Sequence, residues 1–308
     1  MRTDLDVHSK WSGRVNLPGL RHVGRESYSE PVDIYLTALR RGMDLITISD
    51  HDTIEGGLQI AHLPHVFLSE EVTCVLPAGR CLHLGVFDIA EAHHAELSAR
   101  RHDAESLFAF LAERKLPFCV NHPFSPMTGE RLAGDLDWAL ARAPLVEALN
   151  GMMPASSNEN AHRAATERGL SAVGGSDAHS LGSIARAYTT VPRARTRDEF
   201  LAGLRTGLTV PAGRSGSYTR LVADISRIFV GALIENSRDC MTGPRELARL
   251  AAVVALAPAL SLLPAIAIAS ILRETYGARE IAGRFFDRDW AESGAQNVPL
   301  PVSSGPGE

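Results

Sequence analysis

Three stretches of this 308-residue chain place an imidazole beside carboxylates. Asp6 and His8 stand two apart in "DLDVHS", Asp50-His51-Asp52 lie together in "ISDHDT", and Asp177 and His179 are again two apart in "GGSDAHS". Residues two apart on an extended chain face the same side. Glu70 and Glu71 in "SEEVT", His83 in "CLHLGVF" and His122 in "VNHPF" add further donors. Each residue alone has a plain structural reading: Asp6 forms a turn, Asp52 caps a helix, Glu70 or Glu71 is a solvated edge charge. Together they differ, because burying so many imidazoles and carboxylates at one place is costly unless cations neutralise them. A mixed set of this kind suits zinc, manganese or iron better than magnesium or calcium, and it is large enough for two or three ions. His51 then reads as a ligand, with Asp50 and Asp52 orienting it or completing the shell.

The elements that position these residues alternate between short apolar runs and amphipathic segments. Strands are expected at Thr3–Val7, Asp44–Ile48, His65–Leu68, Leu82–Phe87, Pro117–Val120, Val146–Leu149 and Ala172–Gly174. "EPVDIYLTALRRGM", "DAESLFAFLAERKL" and "NENAHRAATERGL" carry helical spacing, with Gly42, Asp103 and Gly169 as candidate caps. Repeated βα units imply a largely parallel sheet, whose strand carboxyl ends converge on one face. Six of the seven strands offer a His, Asp or Glu at or near that face; His83 lies inside its run and needs an inward register.

Composition sets outer limits. Apolar and charged contents of 45% and 22% are ordinary for a globular protein, and a net charge of -5 argues against binding nucleic acid through a basic surface. The four cysteines form no CxxC pair and "MRTDLDVHSKWS" lacks an apolar signal core, so the expected location is the cytoplasm. The first domain is expected to end near residue 215, after "TRDEFLAGLRTGLTVPAGRSGS". Residues 216–290 read as an apolar helical extension and 291–308 as a disordered tail. The run 250–272 carries no charge and is long enough to cross a bilayer, yet Pro258 and Pro264 interrupt it. It reads either as an inner-membrane contact or as a broken helical hairpin packed on the first domain or on a second copy.

In order along the chain, "DLDVHS", "TISDHDT", "EEVT", "LHLGVF", "NHP" and "GGSDAH" resemble the motifs of the polymerase and histidinol phosphatase (PHP) family of metal-dependent phosphoesterases. The resemblance covers residues 4 to 179. It implies an α/β fold, a distorted, TIM-like (β/α)7 barrel, with divalent ions (manganese, iron or zinc) at the strand carboxyl ends. Carried over by position, the ligands are Asp6, His8, His51, Glu71, His83, His122, Asp177 and His179. Two positions depart from the family pattern. Asp6 stands where the family usually has its first His, and Gly13 stands where many small phosphoesterases of the family have an Asp ligand. Two tightly held ions and a weak or absent third are therefore expected.

The expected reaction is hydrolysis of a small-molecule or nucleotide phosphoester by a water bridging two ions. Glu71 and Asp177 help hold the pair, and His122 or His179 protonates the leaving oxygen. Arg186 in "GSIARAYTT" is the candidate for phosphate recognition, and Asn150 in "EALNG" a weaker one with turn formation as its alternative. The competing readings are a metal-dependent hydrolase of C–N bonds, of the barrel amidohydrolase type, and a regulatory PHP-like module without catalysis.

Overall fold

A computed structural model describes residues 1–14, 24–126, 129, 132–239, 243–255 and 257–286. The expected tail 291–308 and Cys240 lie outside the described residues. In chain order the elements are β1 (Arg2–Thr3), α1 (Pro31–Arg40), α2 (Glu55–Leu58), β2 (Ser69–Val75), β3 (Cys81–Phe87), α3 (Glu91–Arg100) and α4 (Ala104–Glu113). Then come β4 (Phe118–Val120), α5 (Ala133–Leu140), β5 (Leu145–Asn150), α6 (Ala155–Arg168), β6 (Ser171–Gly175), β7 (Ala187–Thr190), α7 (Arg197–Thr206) and β8 (Val210–Gly213). α8 (Tyr218–Asp239), α9 (Pro244–Ala255), a 3-10 turn (Ala257–Leu262) and α10 (Leu263–Phe286) complete it.

Local chemistry explains the principal helices. α1 begins on a proline, whose missing N–H costs nothing at that end, and buries Ile34, Tyr35 and Ala38. The Asp103 carboxylate accepts the Ser106 N–H at 3.1 Å, capping α4 as expected. α6 closes at Gly169 with φ +64, a left-handed residue that costs glycine little.

The main sheet runs β2-β3-β4-β5-β6 and a smaller one β1-β7-β8. β4, β5 and β6 are parallel, but β3 is antiparallel to both of its neighbours. The expectation of a largely parallel sheet fails there for a plain reason: only residues 76–80 join β2 to β3, and a parallel crossover needs a dozen or more. The reversal also accounts for His83. On a reversed strand its early position, opposite Thr73, lies toward the carboxyl end of β2. The expected strand at His65–Leu68 is not formed: only Val66 makes a bridge there, and the strand begins after it with "SEEVTCV", polar residues and all.

The described ladders form two open sheets, not one continuous closed barrel. Between segments 4–8, 45–51 and the neighbouring strands there are isolated parallel bridges, Val7 with Ala178, Ile46 with Val66 and His51 with Glu71. Ladders give way here because side chains take the backbone donors. The Val7 N–H donates to Ser49 Oγ at 2.8 Å, Ser9 N–H to Asp50 at 2.6 Å and Ser176 N–H to Asp4 at 2.8 Å.

The run 250–272 is not one helix. α9 stops at Ala255, Pro258 sits in the 3-10 turn, and α10 starts with Leu263-Pro264, where a proline is tolerated. Among the described residues no helix is long and apolar enough to cross a membrane. α10 instead folds back against α5, α6 and α8. Its Ala278, Ile281, Ala282 and Phe285 join the same core as Val72, Leu84, Leu107 and Val146 of the sheet and α4. Burying a side chain such as Ile281 or Phe285 contributes about 1.5–3 kcal/mol. Ser125 Oγ, just after β4, also donates to Glu274 of α10 at 2.9 Å.

Candidate metal centre

Glu71, 1% exposed, is the hub. Its Oε2 lies 3.1 Å from His51 Nδ1 and 3.4 Å from His8 Nε2. Its Oε1 lies 3.2 Å from both His83 Nδ1 and His122 Nε2. On the far side of His8 the Nε2 approaches Asp6 at 3.1 Å and Asp177 at 3.4 Å, and His179 Nδ1 lies 3.4 Å from Asp177. The rings of His51 and His179 both stack on His8, at 4.6 and 4.4 Å. All eight residues expected to be ligands are thus brought together. The sets His8-His51-His179, His51-Glu71-His83, Asp6-His8-Asp177 and Asp6-Glu71-His122 each hold their donor atoms within 4.8 Å of one another.

These residues fit divalent ions. His8 Nε2, His51 Nδ1, His83 Nδ1 and Glu71 Oε2 are buried and make no hydrogen bond among the described residues, although they point at one another. Buried polar atoms are normally satisfied, and a convergent group of orphans such as this could hold a cation. Burial pushes the Glu71 carboxyl up, yet His83, His51 and the His122 hydrogen bond outweigh it and hold it well below the usual range. Burial likewise opposes the charge on His122, but the bond to Glu71 raises its imidazole to about 10. Asp6 goes the other way, raised by burial and by the charges of Glu71 and Asp177. Like charges this close call for a neutralising ion. His122 and Asp177 also hold positive φ values of 28° and 51°, a backbone strain of about 1–3 kcal/mol each that the surrounding bonds must sustain.

A supporting layer fixes the donors, and the sequence reading missed most of it. Ser12 Oγ meets His8 Nδ1 at 2.9 Å and accepts the His51 N–H at 3.1 Å. Ser49 Oγ donates to Asp6 at 3.0 Å. Asn121 donates to Glu71 at 2.9 Å and to Asp6 at 3.3 Å. Glu147 of β5, 2% exposed, accepts the His122 N–H at 2.9 Å. Burial and the nearby Asp6 charge push its carboxyl well up. A charge inside the apolar run "LVEAL" was the available signal for Glu147.

Four expected roles take a different form. Asp50 does not reach His51; its carboxylate accepts the Ser9 N–H and hydroxyl at 2.6 Å each, and so fixes His8 from the next residue. Asp52 turns away to Arg101 at 2.5 Å and to the Thr73 N–H at 2.8 Å. Asn150 is fully buried and is a strut. Its amide donates to Glu147 and Asp177, and its oxygen accepts from Met152 and Met153, the turn-forming role. Arg186 lies close enough to Arg41 to help burial lower that guanidinium. Neither Asn150 nor Arg186 is among the residues lining the cavity beside His179. Glu70, on the opposite face of β2 from Glu71, binds His94 at 2.7 Å.

That cavity, of about 290 Å³, opens between His179-Ser180 and α8, with Tyr28, Glu30 and Arg227 on its walls. The extension reaches the loop after His179 as well. Asp224 of α8, 1% exposed, accepts the hydroxyls of Ser180 and Ser183 at 2.5 Å each.

A family model described as PHP-associated matches residues 155–209, from α6 through α7, and the PHP resemblance stands on that match. An uncharacterized protein of Methanocaldococcus jannaschii is 35% identical over 72 residues, 23% of this chain and 41% of that one, so less than half of that relative is spanned. Among solved structures, a candidate metal-dependent phosphoesterase from Bifidobacterium adolescentis is 16% identical at a TM-score of 0.43, covering 58% of this chain and 88% of that one. PsfC from Pseudomonas syringae is 17% identical at 0.47, covering 76% and 97%. An amidohydrolase from Chromobacterium violaceum, with bound sulfate and no metal, is 15% identical at 0.43, covering 65% and 96%.

Proposed function

We propose that this chain, PHP-associated over residues 155–209, is a metal-dependent phosphoesterase acting on a small or terminal phosphoester. The observation that carries this reading is Glu71, whose two carboxylate oxygens face different imidazole pairs and so suit a ligand shared by two ions. On the same reading the isolated bridges stand for the closing seams of a distorted (β/α)7 barrel. Asp6, His8, His51, Glu71, His83, His122, Asp177 and His179 would hold the ions, with manganese, iron or zinc suited to this donor set. Bound divalent ions supply an activated water and neutralise charge on the phosphoryl oxygens.

The chain's own residues do the rest. Asp50, through Ser9, and Asn121, through Glu71, keep the donors from rotating. Of the two histidines able to protonate a leaving oxygen, His179 lines the cavity, whereas His122 is 7% exposed beneath Glu71. His179 would serve as the acid only where its ring does not hold an ion; its Nδ1 lies 3.0 Å from the Asp177 carbonyl. Arg227 takes the phosphate-facing place expected of Arg186.

The test is release of product from a panel of small phosphoesters and amides with added manganese, iron or zinc, for wild type and Asp177→Ala. Metal-dependent phosphate release lost in the variant is expected. Turnover of amides alone would replace this reading with C–N hydrolysis. Arg227→Glu should raise KM for the phosphoester well above the effect of Arg186→Glu, and equal effects would return Arg186 to the site.

A further inference from the structure

By the family resemblance, Gly13 stands where many small phosphoesterases have an Asp ligand. Gly13 itself cannot donate, and its φ of +107 disfavours any side chain there. Directly across from it, however, runs the segment that carries Glu26. The Glu26 N–H donates to the Gly13 carbonyl at 3.3 Å, and Arg14 and Arg25 form an antiparallel bridge. The Glu26 side chain reaches the cluster, with Oε2 3.7 Å from His51 Nε2, the ring nitrogen that Glu71 does not face.

Three features separate this from a passing contact. Glu26 Oε2 is buried and has no hydrogen-bond partner among the described residues. Its neighbours are pinned on both sides: Arg25 pairs with Glu235 of α8 at 2.7 Å and donates to the Lys10 carbonyl at 3.1 Å, and Ser27 Oγ donates to the His8 carbonyl at 2.9 Å. The imidazoles it approaches belong to the set His8-His51-His179, which holds three nitrogens close together without a carboxylate.

We infer that Glu26 is a metal ligand, supplying a carboxylate from the segment opposite Gly13 and completing a third ion position with His51 and His179. The inference rests on the metal-centre reading above and replaces the expectation of a weak or absent third ion. Ligands on a rigid support bind more tightly than ligands on a free loop, and the pinned neighbours of Glu26 provide that support.

The experiment is calorimetric titration of the chelator-treated full chain with manganese chloride and, separately, zinc chloride, with elemental analysis after desalting. Wild type, Glu26→Gln and Glu71→Gln are compared, with circular dichroism to show that each is folded. Three ions in wild type and two in Glu26→Gln, the remaining two keeping their Kd within about twofold, is the expected result. An unchanged ion count and affinity in Glu26→Gln would overturn the assignment while leaving the metal centre in place. No binding by wild type would instead remove the metal-centre reading itself. If Glu26→Gln proves unfolded, Glu26→Asp serves in its place, and it should weaken one site by tenfold or more without touching the others.

Discussion

Glu71→Gln should abolish, in one step, the stabilisation given by the two ions that would share this carboxylate. The isosteric amide keeps the shape of a side chain that is 1% exposed, but loses the charge shared between His51 and His8 on Oε2 and His83 and His122 on Oε1. An ion at one hundred times its dissociation constant stabilises the folded state by about 2.7 kcal/mol, so two ions give about 5 kcal/mol. For a chain of 308 residues the unfolding entropy is about 0.65 kcal/mol per degree, which turns that into a rise in Tm of about 8 °C. Differential scanning calorimetry with and without manganese reads this directly. Glu71→Gln should lose that rise and keep only what the third ion contributes, while His83→Ala, which touches only Oε1, should lose roughly half of it. A full rise in Glu71→Gln would refute its role as the shared ligand.

Three further outcomes follow from the packing. Gly56→Ala places a methyl against Asp50 Oδ2 and Ser9 Oγ, so overpacking should cost about 1–3 kcal/mol in urea unfolding and weaken metal binding through His8. Asp224→Ala strips Ser180 and Ser183 of their charged acceptor; a loss of about 2–4 kcal/mol in urea unfolding is expected, with weaker binding at the His179 site by titration. Phe285→Ala removes a ring that packs on Phe124 and Phe286 and should cost about 3–5 kcal/mol. Hydrogen exchange should then rise in α6 as well as in α10; a change confined to α10 would contradict a common core.

The eight donors were legible because extended chains repeat every two residues and motif spacing survives as pairs such as Asp6-His8 and Asp177-His179. Strands at 82–87, 117–120, 146–149 and 172–174 were legible too, whereas Thr3–Val7, Asp44–Ile48 and His65–Leu68 were not, because side chains there take the backbone donors and leave isolated bridges. Glu26 was not, since nothing in "GRESYS" says that it will lie opposite Gly13; that placement comes from Arg25 reaching Glu235, far along the chain. The direction of β3 was readable in hindsight from its short link to β2, but its polar flank "SEE" disguised where β2 begins. Asp50 and Asp52 misled because adjacency in sequence suggested contact with His51, whereas neighbours on an extended chain point apart. The apolar stripe of α10 announced that something would cover it without saying what.

That covering has a consequence for how the protein is made. Arg25 and Glu235, or Ser125 and Glu274, cannot meet until the later partner has left the ribosome. At synthesis rates of about 5–20 residues per second, the stretch from residue 215 to α10 takes roughly 4–14 s. Throughout that interval the nascent chain holds all eight donors yet leaves bare the apolar patch that Ile281 and Phe285 will occupy. Charging with metal and shielding by chaperones then fall within the same window, and a stalled or truncated chain would present both a half-built ion site and a sticky face.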